Sequence, residues 1–282
     1  MIFIKAKARK NIIDEFKKEI LPSITDSKAK EFIDDVLVPY SEAYNFVKNP
    51  ANSEYLKWLN MLDNSDWIPA AMLYYSKNKN DSAGLEGFFK KLERLAAYML
   101  VWSFNVNDRI TRYAKILTEL EASDGKTCGS IDLTDAEKKN FADTLNADVY
   151  IMSRLQKKYI ILRLDSFAAS VGATYDNTVL SIEHILPQTV DDGSYWAAKW
   201  PDVQEREQWL HKIGNLIPLS RHKNSSASNY DFTKKKNVYF FKNGATPYVL
   251  ASQIMPLTDW TPAEAEKRQA SLIALFKQNW EL

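Results

Sequence analysis

The chain has 282 residues, 37 Lys and Arg against 36 Asp and Glu, and 45% hydrophobic residues, enough for a substantial core in one large or two modest domains. Its 12% aromatic and 26% charged residues exclude a disordered chain, and its single cysteine, Cys128, excludes an internal disulfide or a thiolate zinc cage and points to a reducing cytoplasmic setting. The opening MIFIKAKARKNII is basic with no apolar run behind it, so no secretory signal is expected, and no apolar stretch approaches the ~18 residues of a membrane helix.

Helical spacing dominates the first part. Ile12, Ile13, Phe16 and Ile20 share one face over residues 11–20, and Phe32, Val36, Leu37, Tyr40 and Phe46 do so over 28–48. Asp66 is placed to cap the helix WIPAAMLYY, with Pro69 in its first turn. Residues 84–104 and 106–121 predict two further helices, the first strongly apolar through Leu85, Phe88, Phe89, Leu92, Leu95 and Leu100. The stretch EASDGKTCGSIDL, residues 121–133, concentrates Ser, Asp, Gly and Thr and reads as a linker.

Beyond it, Thr134 with Glu137 forms a capping-box pattern, and residues 149–169 predict another helix. The character changes at TVLSIEHILP, a β-branched, apolar run that stops at Pro187 and suits a short strand. Residues 195–212 read as a helix with Trp196, Trp200 and Trp209, IGNLIPLS as a second strand, and 222–242 as a basic helix or helix-loop. An amphipathic helix beginning at Thr261 and Pro262 ends the chain. The expected fold is mainly α: a helical scaffold or connecting domain over 1–125, then a helical domain over 126–282 with an embedded strand, loop, strand and helix at 178–242.

The near-neutral total speaks against a nucleic-acid partner until the charges are mapped. Residues 181–210 carry a net charge of −4, and residues 211–242, with Lys212, Arg221, Lys223, Lys234, Lys235, Lys236 and Lys242 against Asp231, carry +6. Such a run is either a solvated face or a local phosphate footprint.

The three histidines, His184, His211 and His222, all fall in this second part. His184 follows Glu183, three residues before a proline. Adjacent strand residues point to opposite faces, but a pair at a strand end can converge on one site. Together they offer a base near neutral pH and a hard oxygen ligand. Asn215 carries both donor and acceptor and can pin a backbone loop, or can be a turn residue after Gly214. Asn224 offers a neutral oxygen ligand at the start of the basic stretch. His211 is expected to pack structurally and His222 to face solvent, and Asn229 in NSSASN suits turn or cap chemistry as well as function.

This order resembles the HNH, or ββα-metal, nucleases; an Asp-His-Ile-Val-Pro-Gln motif of CRISPR effector nucleases sits where this chain has Glu183-His184-Ile185-Leu186-Pro187-Gln188. The sequence is more similar to the C-terminal nuclease domain of GmrSD-type modification-dependent restriction endonucleases. The likeness rests on residues 182–188, Trp209, His211 to Leu216, Asn224-Ser225, Asn229, Phe232 to Lys235, and the terminal Trp260, Arg268 and Leu272, and covers about residues 133–282. It implies a metal-dependent DNA endonuclease of a restriction or anti-phage system. His184 would be the general base and Asn215 would orient its loop. Glu183 and Asn224 would hold one divalent ion, Mg²⁺ by preference, with Mn²⁺ or Ni²⁺ as alternatives and no structural zinc. Lys235, with Lys234, Lys223 and Asn229, would contact phage or modified DNA. The family's Asp-Gly-Gln-Gln-Arg-like nucleotide-sensing motif does not occur in this sequence, so the resemblance places that function in another domain or a partner subunit. The alternative is a DNA-binding or interaction module with an inactive nuclease motif.

Overall fold

The computed structural model describes residues 12–169, 180–220, 229–240 and 246–282. The fold is mainly α, with one two-stranded sheet among the described residues. The chain divides into two units, Met1–Thr134 and Asp135–Leu282. Among the described residues no helix is long and apolar enough to cross a membrane.

In the first unit, a helical run over 12–37 leads into α1 (Val38–Lys48), α2 (Glu54–Leu59), α3 (Ile68–Asn78), α4 (Ser82–Val101) and α5 (Val106–Ala122). Helix α4 supplies the core: Phe89, Leu92, Leu95, Ala97 and Met99 are all at most 1% exposed. Asp81 and Asn105 cap α4 and α5 by accepting from Gly84 N and Asp108 N. Asp66 does not cap α3; its carboxylate instead accepts from Arg109 Nε of α5 at 2.9 Å. The polar stretch expected as a linker folds back on this unit. Glu119 accepts from Ser130 N and Oγ, Arg112 donates to Ser130 O and Asp132 O, and Lys91 and Arg94 pair with Asp132. The division between units accordingly falls at Thr134/Asp135.

In the second unit, α6 (Asp135–Leu145), α7 (Arg154–Ala168) and the terminal α12 (Pro262–Trp280) form the helical support. Ser153 and Gln156 close a capping box on α7, and Thr261 and Glu264 do the same on α12. Phe141 of α6, Phe167 of α7 and Phe276 of α12 gather around the Trp280 ring at centroid distances of 4.8, 5.4 and 4.9 Å.

Strand β1 (Leu180–His184) pairs antiparallel with β2 (Leu216–Ser220), with Glu183 opposite Ile217 and His184 opposite Leu216. Between them lie α8 (Tyr195–Lys199) and α9 (Val203–Leu210), so the expected single helix over 195–212 is two. The break is local chemistry: Pro201 cannot donate a helical hydrogen bond, and Asp202 caps α9 by accepting from Gln204 N and Glu205 N. Then α10 runs over 232–240, an α-turn from Asp231 that continues as a wider π-turn, followed by α11 (Val249–Ser252).

A lone two-stranded ribbon is marginally stable in water, and here the helices hold it. Arg268 of α12, 8% exposed, donates to the carbonyls of Ile213, Gly214, Leu216 and Leu250 at 2.6–3.2 Å. Gln269 Oε1 accepts from Gly214 N at 2.6 Å, and Asp165 of α7 accepts from Leu250 N at 2.7 Å. Gly214 lies so close to α12 that an added Cβ would sit 2.8 Å from the Ala265 carbonyl oxygen, a backbone atom that cannot step aside. We expect Gly214→Ala to cost about 1–3 kcal/mol, the scale of overpacking a filled core, seen as a lower urea midpoint at unchanged m-value.

Candidate active site

The last two residues of β1 find different partners. Glu183 keeps 13% of its side chain exposed and pairs through Oε1 with Lys235 Nζ at 3.4 Å. His184 is 3% exposed and turns to two aromatic rings. Its Nε2 lies 3.4 Å from His211 Nδ1, and its ring centroid lies 4.1 Å from that of Tyr150. Tyr150 lies nearly parallel to His211, at 9° and 5.6 Å, and its N–H donates to the His211 carbonyl at 3.0 Å. Lys157 of α7 holds Tyr150 from behind, with its ammonium 4.2 Å from the ring centroid and donating to the Tyr150 carbonyl.

Asn215 fixes the chain that leaves β1. Fully buried, it accepts from Leu186 N through Oδ1 at 2.7 Å and donates through Nδ2 to Leu186 O and Leu210 O at 3.2 and 3.0 Å. Its backbone carbonyl accepts from Ile185 N at 2.9 Å. The strand pairing thus carries on past His184, and the histidine is anchored on both sides: through its strand, and through the segment that follows it.

Lys235, expected at a phosphate, is 1% exposed. Its ammonium reaches His184 O at 3.0 Å and Ile185 O at 3.4 Å as well as Glu183. With its ammonium taken by one carboxylate and two backbone carbonyls, Lys235 braces the end of β1. Lys234 is exposed, with its ammonium 3.3 Å from the Tyr230 ring centroid, and Asn229 is exposed. Asn224, Lys223 and His222 lie outside the described residues. The site therefore brings Glu183, His184, Asn215 and Lys235 together, and adds His211, Tyr150 and Lys157. His211 stands four residues before Asn215 in HKIGN, the one sequence signal for its position; Tyr150 precedes a helix in a segment that carries none.

Burial governs the charges. It is the chief reason the His184 imidazole is pushed down to about 3, with the His211, Lys235 and Lys157 charges acting in the same sense. Burial also raises the Glu183 carboxyl against the pull of Lys235, and lowers the Lys235 ammonium against the pull of Glu183. Each partner is moved toward neutrality, so desolvation exceeds what the pair returns. His184 is a neutral imidazole at pH 7, with a lone pair available for a proton.

That shift has a sign in stability. Below the ordinary imidazole value of about 6.5, the unfolded chain takes up a proton that the folded chain refuses until about pH 3. The histidine's contribution is complete above that ordinary value and is lost as pH falls through this window. In EDTA the unfolding free energy from urea titration should be about 1–2 kcal/mol lower at pH 5 than at pH 7.5 on this account. His184→Phe should show a smaller drop, and an equal drop would remove His184 as its source.

The similarity to known proteins follows the same part of the chain. The family described as GmrSD restriction endonucleases, C-terminal domain, matches residues 135–275, half of the chain and nearly all of the second unit. No curated protein matches. The match spans β1, Asn215, β2, Lys235 and the Arg268 clamp, and on it the chain belongs to the GmrSD restriction endonuclease C-terminal domain family.

Proposed function

We propose that the second unit is an HNH-type DNA endonuclease that cleaves phosphodiester bonds with the help of a divalent ion. The observation that carries the reading is His184: a neutral, buried imidazole at the end of β1, adjoining a carboxylate, with the following loop locked by Asn215. Two antiparallel strands followed by a helix whose lysine returns to the first strand agree with a ββα arrangement. The family match supports a nuclease with DNA as its substrate.

Whether these residues suit a metal can be asked of Glu183. Its carboxylate is partly exposed, and burial raises its proton affinity despite Lys235, so its negative charge is under-compensated. A divalent cation would relieve that deficit, and a hard oxygen donor suits Mg²⁺ or Mn²⁺. Among the described residues no cluster of three His, Cys, Asp or Glu side chains forms a metal cage. From the resemblance, the reading takes Glu183 and Asn224 as the protein's ligands, an open oxygen set rather than a closed nitrogen–sulfur one. Such an ion supplies Lewis-acid stabilisation of the negative charge that builds on phosphate oxygens.

The chain's own residues supply the rest. His184 accepts the proton of the attacking water as its oxygen bonds to phosphorus and the opposite P–O bond breaks with its electron pair. Asn215 keeps the loop behind His184 in register. Lys235 holds Glu183 and the His184 carbonyl. Phosphate contact falls to the basic stretch, with the exposed Lys234 and Asn229 and, from the resemblance, Lys223 as the candidates. The family match supports service in a restriction system, with phage DNA as the proposed target.

A plasmid-nicking assay tests this. Supercoiled DNA should be relaxed or linearised with Mg²⁺ or Mn²⁺, and EDTA should stop it. His184→Ala should lose at least about 100-fold in rate, the lower range for a positioned general base, while melting as a folded protein. Undiminished cleavage by His184→Ala would overturn the assignment, and DNA binding without cleavage under either metal would indicate an inactive module.

A further inference from the structure

We infer that His211 is a positioning residue that sets the tautomer of His184, accepting the Nε2 proton so that Nδ1 is the nitrogen left to take the proton of water. The inference rests on the nuclease reading above and adds to it a residue that the reading does not use.

Geometry carries it. His184 Nε2 and His211 Nδ1 face each other at 3.4 Å, the long end of hydrogen-bond reach, and catalytic hydrogen bonds of free enzymes are often long. The contact forms only if one of the two facing nitrogens carries a proton and the other presents a lone pair. A neutral ring has a single proton, so a proton on His184 Nε2 leaves Nδ1 bare. The reverse arrangement would place the only lone pair of His184 against His211, away from any substrate.

The surroundings hold His211 in place. It follows the last residue of α9, and its carbonyl accepts from Tyr150 N while the Tyr150 ring lies parallel to its own. On the other side Asn215 Nδ2 donates to the neighbouring Leu210 carbonyl. The same tyrosine ring meets His184 at 4.1 Å. The two histidines are therefore fixed against one wall, and the wall is steadied by Lys157. A histidine present only for packing would need the ring, not the nitrogen; the two roles separate by substitution.

His211→Phe keeps a flat ring against Tyr150 and removes the acceptor. His211→Asn loses the ring and retains an acceptor close to the Nδ1 position. The test pairs single-turnover plasmid nicking with a long-range ¹H–¹⁵N correlation spectrum of the imidazole-labelled full chain in EDTA. Wild type should show His184 protonated at Nε2 and bare at Nδ1. His211→Phe should mix the two tautomers and lower kcat on the order of 10- to 100-fold at unchanged KM, as loss of an orienting partner does elsewhere. His211→Asn should keep the Nε2 proton and recover to within about threefold of wild type, a small residue of that loss. A wild-type spectrum with the proton on Nδ1 overturns the inference. So does His211→Phe with wild-type tautomer and rate. The readouts stay distinct from the nuclease reading: an active His184→Ala protein defeats that reading, whereas an inactive His184→Ala beside an unimpaired His211→Phe defeats only the role of His211. The spectrum decides the tautomer even where no nicking is seen.

Discussion

Arg268 holds the second unit together. One guanidinium, drawn from the terminal helix into the interior, satisfies carbonyls from three places: the turn before β2, β2 itself, and α11. Unpaired buried carbonyls cost about 1–3 kcal/mol each, and a buried guanidinium without acceptors costs more. Neither side is stable alone, so helix and turn dock as one. Gly214 permits the approach, Gln269 completes it by accepting from the Gly214 N–H, and Asn215 then lies where its side chain can bridge to Leu186. Strand β1 is thus positioned from a helix that begins 78 residues later in sequence than His184, at Pro262.

Burial also sets the chemistry. The Glu183–Lys235 pair sits where desolvation outweighs mutual attraction, the usual balance for enclosed ion pairs. Such a pair is a poor source of stability, but it ties the carboxylate to the backbone that carries His184. The same desolvation keeps His184 unprotonated. Burial at the end of β1 therefore moves the histidine, the carboxylate and the ammonium all toward their neutral forms.

The basic stretch divides in an instructive way. Net charge over 211–242 reads as a solvated face or a local phosphate footprint. In the structure Lys212 donates to Asn146 O, Lys236 to Leu257 O, and Lys235 is enclosed beside β1. These lysines satisfy main-chain carbonyls, and Lys234 is the exposed one among the described Lys residues of the 232–240 helix that keeps its ammonium at an outer ring. A count of charges cannot separate a lysine that closes off helix and strand ends from one that meets a ligand, because both have the same residue type at the same density.

By itself the sequence determined the element types and the family. Apolar spacing defined α4, α5, α7 and α12, because a helix face repeats within a few residues and needs no distant partner to be recognised. The two strands were legible from β-branched runs bounded by Pro187 and Gly214, and the Glu183, His184, Asn215 and Arg268 set marked the family. What lay between elements was less legible. Asp66 reads as a cap but pairs with Arg109, residues 121–133 read as a linker but are bound by Arg112 and Glu119, and one helix over 195–212 became two at Pro201. Only the tertiary structure decided which side chains share the site. It placed His211 and Tyr150 against His184 and withdrew Lys235 from the surface, because burial and long-range hydrogen bonds depend on residues tens of positions apart that no local pattern encodes.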